Sequence, residues 1–488
     1  MWHESPVHGI DTNPKTLDEA KTTIAALIER LLALEERNRI LEERVRELEA
    51  RLAKNSNNSS KPPSSDPPWI KRPPKKEKTG RKQGGQPGHE GHFRKMVTPD
   101  EIKDHFPDQC GGCANGLDPA RDKEVGDPVR HQVTETPKVE PDVTEHRLHT
   151  LECTCGHRTT AQLPVGVPAG DFGPRLMALV ALWSGTYHLG KRAIEQILLD
   201  LCGVEMSLGS ITACERTVSE AVAVPVEEAR RYVEASAVAN ADETGWKEKS
   251  KKAWLWVAAT PLVAVFLVHA KRNADAARAL LGVFAGILST DRWKVYGQWA
   301  IDKRQVCWSH LMRDFQFISE HRGLAGKIGA EMVKLGRRMF KYWHRVRDGT
   351  MSREEFKKKV EPIKGQMKQL LADGTWCRLG KAPGMCWEIL QVWPAMWTFV
   401  EVEGVEPTNN FAERVLRTAV LWRKRSFGTQ SAEGSRFVER LLTVSATLRL
   451  QERNVLDYLT QATEASLSGK QAPSLLPATE TTSQLAAA

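Results

Sequence analysis

The stretch that decides the fold is Ser236 to Thr260, SAVANADETGWKEKSKKAWLWVAAT, followed by Val263 to His269, VAVFLVH. Val and Trp recur in short apolar runs of strand length, broken by the charged KEKSKK (247–252) and by Pro261. The spacing predicts a hairpin of Ser236–Glu248 with Lys252–Thr260 and a third strand at Val263–His269. Ala253 to Ala270 is the most apolar part of the chain. A membrane span needs about 20 apolar residues, and this stretch is shorter and carries Pro261. Two consecutive buried strands fit it, so no membrane partner is expected. Outward from here, Ala274–Val283 has helical spacing and Ile287–Asp291 reads as a fourth strand. Asp242 falls inside the first strand, and Asp291 ends the fourth.

Three antiparallel strands, a helix and a further strand is the order of an RNase H-like core. A third acid, Glu413, lies far downstream in PTNNFAERVLR (407–417). Pro407 and Thr408 resemble a helix start, which would set Asn409, Asn410, Glu413 and Arg417 on one helical face. Three carboxylates suit two-metal phosphoryl transfer, because two hard cations about 3.5–4 Å apart need oxygens that bridge or flank them. Mg²⁺ keeps waters and phosphate oxygens as its other ligands, so three acids suffice. Taken singly the acids say little: an Asp at a strand end is usually a turn former, and a Glu four residues before an Arg is usually a helix ion pair.

Upstream, Ile24, Leu27, Leu31, Leu34, Asn38, Leu41, Val45, Leu48 and Leu52 alternate steps of three and four without a break. That is a heptad seam. Arg30, Arg37 and Arg44 fall at g and Glu35, Glu42 and Glu49 at the following e, which sets opposite charges together only in a parallel pair. Asn38 at an a position also favours two in-register parallel strands. Residues 17–54 are therefore expected to form a parallel coiled coil and make the protein a homodimer. Residues 55–95 read as a linker of Pro, Gly and polar residues with nothing to bury. Lys71 to Lys95 carries nine Lys/Arg against Glu77 and Glu90, a net +7 within a chain whose total is +9. Such a concentration points to a polyanion, nucleic acid by default, with Lys71, Arg72, Lys75, Lys76, Arg81 and Lys82 lying along phosphates.

Cys110-Gly-Gly-Cys113 and Cys153-Thr-Cys155 frame expected strands at Val129–Thr136 and Val143–Glu152. Four thiolates satisfy tetrahedral zinc, and the metal substitutes for a core that residues 96–170 lack. A zinc ribbon that binds DNA is expected there, with His157 as the alternative to one thiolate. Nine cysteines, an odd number, without an apolar leader argue against a disulfide framework, and a cytoplasmic protein is expected, at the nucleoid if it binds DNA. Residues 171–235 are helical in pattern: Arg192–Leu201, a break at Gly203, then a helix to Ala221 capped by Ser207 or Ser210. A helix-turn-helix and an ordinary helical hairpin fit equally.

The ordered blocks SSKPPSSD (59–66), GGQPGHEGH (84–92), DETGW (242–246), CWSHLMRDF (307–315), PTNNFAERVLR (407–417), WRKRSFGTQSAEGSRFVERLLT (422–443) and RNVLDYL (453–459) resemble the insertion-sequence-66 family of transposases. The likeness runs from about Leu17 to Leu459. It implies that Asp242, Asp291 and Glu413 are the DDE acids, with two Mg²⁺ as cofactor. It also implies a coiled coil, a structural-zinc domain, helices between the second and third acids, element ends and target DNA as partners, and two companion proteins from the same element.

The fold expected is thus a multidomain α/β protein: coiled coil, zinc ribbon, then an RNase H-like core over 236–460 with a helical insertion at 311–406, and a tail at 461–488 without structure. Three features keep two readings. Cys307 and His310 have the spacing of half a metal site or pack beside the active site. Trp246 stacks on a flipped base or fills the core. Arg423, Lys424 and Arg425 hold phosphates or form a solvated turn. A catalytically dead DNA-binding relic, or a nuclease that cuts without joining, would carry many of the same features. Trp376, Trp387, Trp393 and Trp397 read as core of the insertion.

Overall fold

The computed structural model describes residues 15–52, 94–377 and 380–477. Among them are fourteen α-helices and seven β-strands in a mixed α/β arrangement. The described residues divide into two compact units: 94–161 with 191–208 in one, the remainder in the other. The basic residues Lys71, Arg72, Lys75, Lys76, Arg81 and Lys82 lie outside the described residues.

Helix α1 (Leu17–Leu52) opens with a reciprocal cap. Thr16 Oγ1 accepts from the Glu19 N–H at 3.3 Å, and Glu19 returns a carboxylate oxygen to the Thr16 N–H at 3.1 Å. The seam residues Ile24, Leu27, Leu31, Leu34, Leu41 and Val45 are all exposed, from 45% to 58%. A single chain leaves this apolar stripe uncovered.

Among the described residues of the smaller unit the strands are β1 (Thr150–Glu152) and β2 (Arg158–Thr160), an antiparallel ribbon. The strand expected at Val129–Thr136 does not form, and the one expected from Val143 begins only at Thr150. Nearly every residue from 94 to 161 is exposed, so period-two alternation there had no buried face to serve. Helix α3 (Lys191–Cys202) also belongs to this unit, and Gly203 ends it at φ +64.

The larger unit holds α2 (Pro174–Gly185), α4 (Leu208–Ala221) and α5 (Ala223–Ala235), then the sheet. Its strands are β3 (Val238–Glu248), β4 (Lys251–Ala259), β5 (Ala264–His269), β6 (Ile287–Thr290) and β7 (Arg304–Val306), with α6 (Ala274–Leu281) between β5 and β6. Their spatial order is β5-β4-β3-β6-β7. β3, β4 and β5 pair antiparallel, whereas β6 and β7 join parallel to β3.

The free edge of β5 is covered by α13 (Ala432–Leu450) through side chains. Glu439 accepts from the Val268 N–H at 2.7 Å, Thr443 from Phe266 at 3.1 Å and Thr447 from Ala264 at 3.1 Å. The spacing is a matter of pitch. Four helical residues rise about 6 Å, and two strand residues rise about 6.7 Å, so one acceptor per turn meets every outward N–H. An edge that would otherwise pair with another chain is closed.

Helices α7 (Trp308–Ser319), α8 (Gly323–Arg347), α9 (Arg353–Thr375), α10 (Ala382–Gln391) and α11 (Thr398–Glu401) fill the stretch where the insertion is expected. Its core gathers Trp308, Phe315, Met332, Phe356, Val360 and Phe399. Trp397 is buried in it, but Trp376 and Trp387 are 86% and 57% exposed, against the expectation that all were core. Trp376 stands at the C-terminal end of α9 and Trp387 on an outward face within α10, which spacing alone did not register. Helices α12 (Asn410–Ser426) and α14 (Val455–Leu467) complete the unit. The tail expected to be unstructured from 461 instead continues α14, and Leu475 is fully buried while Tyr458 donates to the Pro473 carbonyl at 2.7 Å. Residues 478–488 lie outside the described residues.

Thr443→Val keeps the branched shape and removes one edge acceptor, leaving the buried Phe266 N–H unsatisfied. It is expected to cost about 1–3 kcal/mol in urea unfolding. No loss of stability would show that α13 does not close the edge.

Candidate active site

Register brings two acids together. In the parallel pair of β3 and β6, Asn240 lies opposite Ser289. Asp242, within β3, and Asp291, just past β6, each stand two residues beyond that pair, where the parallel pairing of the two strands ends. One strand further over, Thr290 pairs with Val306, and Cys307 follows immediately.

The third acid is delivered by Asn409. The expected helix begins at Asn410, one residue later than needed to put Asn409 on its face. Asn409 occupies the N-cap without capping. Its side chain reaches the sheet instead, donating to the Ala241 carbonyl at 2.8 Å and accepting from Asn240 Nδ2 at 3.0 Å. Its own N–H donates to Cys307 Sγ at 3.1 Å, and its carbonyl accepts from the Glu413 N–H at 3.3 Å. Ser309 Oγ bonds Asn410 Oδ1 at 3.1 Å, and the Trp308 N–H donates to Pro407. The starts of α7 and α12 are therefore tied to each other and to the strand that carries Asp242.

The electrostatics of the acids differ sharply. Burial, and then the charge of Glu243, push the Asp242 carboxyl up to about 8; Asp291 and Glu413 push the same way, against one Glu243 N–H at 2.9 Å. Burial also raises Glu413, opposed by Arg313 and reinforced by Asp291. Asp291 Oδ1 accepts from the Trp293 N–H at 2.9 Å. Three carboxylates within electrostatic reach of one another, with their charge poorly compensated, are what a divalent cation relieves. Their oxygen donors suit Mg²⁺.

Glu243 is the contrasting acid, and sequence reading passed over it. It points to the opposite face of β3, where Arg272 binds it at 2.6 Å and Tyr296 Oη donates to it at 2.6 Å. Burial raises its carboxyl, and these two bonds oppose the rise. Arg272 in turn stacks over Trp293 at 3.9 Å and Trp254 at 4.7 Å. The adjacent Asp-Glu pair in a strand was the available signal, since neighbours must face opposite ways and a buried charge needs a partner.

The other expected residues fall into place unequally. Trp246 is 2% exposed and its Nε1 donates to Thr429 at 3.3 Å, so it is a core residue and offers no face to a base. Arg423 Nη1 is bound to Thr244 Oγ1 and to the Gly245 carbonyl, tying α12 to β3 instead of projecting toward phosphate. Arg417, Lys424 and Arg425 are exposed on α12. Burial, then Arg313, brings His310 down to about 4, so it is neutral at pH 7.

Cys110 and Cys153 each start a tight turn. The Ala114 N–H donates to the Cys110 carbonyl at 2.9 Å, and the Gly156 N–H to the Cys153 carbonyl at 2.8 Å. N–H groups of Gly112 and Cys113 lower the Cys110 thiol, and that of Cys155 lowers Cys153. Such donors favour thiolate, as zinc ligation requires. Yet among the described residues the group of three candidate ligands within 4.8 Å of one another is Cys307, His310 and Glu413. Cys110, Cys113, Cys153 and Cys155 are not gathered into one cluster, and the His157 carbonyl merely accepts from Cys153 at 2.9 Å.

The metal-free site has a pH signature. Asp242 ordinarily titrates at 3.8, but in the folded protein near 8. The folded state therefore holds a proton that the unfolded chain has released. This contribution to stability is complete below about pH 4 and lost as pH rises through about 8. In chelator, wild-type stability is expected to fall across that window, and Asp242→Asn to flatten the fall. Parallel curves would contradict the cluster.

A family model described as Transposase IS66 family matches residues 169–436, more than half of the chain and the whole of the sheet. A second model, of a family of unknown function, matches residues 10–95. No curated protein matches. Among the described residues no helix is long and apolar enough to cross a membrane. Through the match over its sheet and its three acids, the chain belongs to the IS66 family of transposases.

Proposed function

We propose that this protein is the DNA transposase of an insertion sequence, cutting phosphodiesters at element ends and joining the freed 3′-hydroxyls to target DNA. The observation that carries the reading is the placement of Asp242 and Asp291 side by side, where the pairing of two adjacent parallel strands ends, with Glu413 brought beside them through Asn409. The strand order β5-β4-β3-β6-β7, three antiparallel and two parallel, supports an RNase H-like core. The helices between Trp308 and Glu401 support the expected insertion.

Two Mg²⁺, when bound by the three acids, would activate the attacking water or 3′-hydroxyl and stabilise the leaving oxygen. The chain supplies the rest. Asn409 fixes the distance between strand and helix, Glu243 with Arg272 and Tyr296 holds β3 rigid from behind, and Arg313 offsets part of the charge on Glu413. Arg417, Lys424 and Arg425, with the basic linker residues, would bind phosphates at a salt-dependent affinity. Structural zinc on the two cysteine turns would order residues 96–170. The exposed seam of α1 would pair with a second copy to give a parallel dimer. Companion proteins of the element would complete the assembly.

Purified protein with labelled element ends and target DNA tests this reading. Wild type is expected to give nicked ends and joined products in Mg²⁺, and Glu413→Gln to lose both by at least about 10²-fold. Cleavage that survives in Glu413→Gln would overturn the assignment. Cleavage without joining would favour a nuclease, and binding without cleavage a relic. For the dimer, Leu31→Lys with Leu41→Lys is expected to shift the mass by light scattering from dimer to monomer. An unchanged mass would place the interface elsewhere.

A further inference from the structure

The pair Cys307 and His310 sits where the three-acid reading gives it no work. Cys307 is the residue before α7 and His310 lies on its first turn, three residues on, so both face the same way. Cys307 Sγ, an imidazole nitrogen of His310 and a carboxylate oxygen of Glu413 all lie within 4.8 Å of one another. His310 Nδ1 stands 3.9 Å from Glu413 Oε1, is buried, and has no hydrogen-bond partner. Cys307 is fully buried, and its sulfur accepts the Asn409 N–H at 3.1 Å. A buried, partnerless imidazole nitrogen beside a sulfur already receiving an N–H is an arrangement that ordinary packing does not call for.

Bond lengths near 2.0–2.3 Å around a tetrahedral ion put neighbouring ligand atoms about 3.4 Å apart. The 3.9 Å separation of His310 and Glu413 is within a small side-chain adjustment of that. Sulfur, nitrogen and oxygen together select ions of the zinc class over Mg²⁺, which prefers oxygen alone. Three protein ligands leave a fourth position open.

We propose that Cys307, His310 and Glu413 form a binding site for one divalent transition-metal ion of the zinc class, chemically distinct from the hard-cation cluster and sharing Glu413 with it. Glu413 is within the electrostatic reach of Asp291 as well as beside His310, so an ion held by the soft pair competes with the acids for this carboxylate. The site itself rests only on geometry; its competition with catalysis rests on the proposed role of Glu413.

Co²⁺ titrated into metal-free, full-length protein tests it, read by bound equivalents and by the thiolate-to-cobalt charge-transfer band. Wild type is expected to bind one equivalent more than Cys307→Ser and than His310→Ala, and Glu413→Gln to bind that equivalent more weakly. Equal stoichiometry in wild type and both substitutions would overturn the site, and an unchanged affinity in Glu413→Gln would remove Glu413 from it. His310→Ala guards against misfolding at the buried cysteine, since it leaves Cys307 and its N–H bond in place. Because the readout is binding, a failure of DNA cleavage in every preparation would count against the transposase reading and leave this result standing.

Discussion

The four bonds of Asn409 hold the three-acid cluster together. Its amide joins Ala241 and Asn240 on the strand of Asp242, its N–H meets Cys307, and its carbonyl starts the helix of Glu413. Asn409 and Glu413 lie more than a hundred residues beyond Asp291 in sequence, so no local preference could set their spacing from the strands. A side chain and peptide group whose N–H, carbonyl, Nδ2 and Oδ1 each hold a partner, 1% exposed, define one arrangement because any other leaves buried donors and acceptors unpaired.

Around that tie the protein separates two kinds of buried charge on the two faces of one strand. Glu243 is neutralised by Arg272 and Tyr296 and behaves as structure. Asp242, one residue away, is left among other acids and pushed up to about 8. Like charges gathered without compensation cost stability, and sites that tolerate this are commonly those where a cation or a reaction supplies the compensation. The insertion contributes rigidity of a different sort, an aromatic core in which Trp308 packs edge-on against Trp397 at 4.9 Å and donates to the Met396 carbonyl. Trp308 follows Cys307 directly, so the packing of the insertion fixes the start of α7 and with it His310.

Much of this was legible from residues alone. The strands from Val238 to Thr290 lie within about two residues of their expected ends, because apolar runs of strand length between charged or Pro-containing breaks leave little choice. The two aspartates could be placed at strand positions for the same reason. What could not be read was partnership. Asn409 looked like part of a helical face and turned out to bridge to the sheet; Arg423 looked like a phosphate ligand and is bound to β3. Trp246 was ambiguous until its burial was known. Residues 129–136 and 143–149 were expected as strands yet form none, since they have no buried face to pack. The packed segment to Leu475 was missed because a few apolar residues in a polar stretch give no periodic signal.

The central claim is that the three acids bind the catalytic cations directly, and a ligand exchange tests it most closely. Asp291→Cys presents a soft sulfur in place of a hard oxygen, so the account predicts strand cleavage lost in Mg²⁺ and recovered in Mn²⁺. Cleavage by Asp291→Cys as strong in Mg²⁺ as that of the unaltered protein would contradict the claim, because a residue in contact with the ion cannot change its ligand atom without changing the metal it accepts.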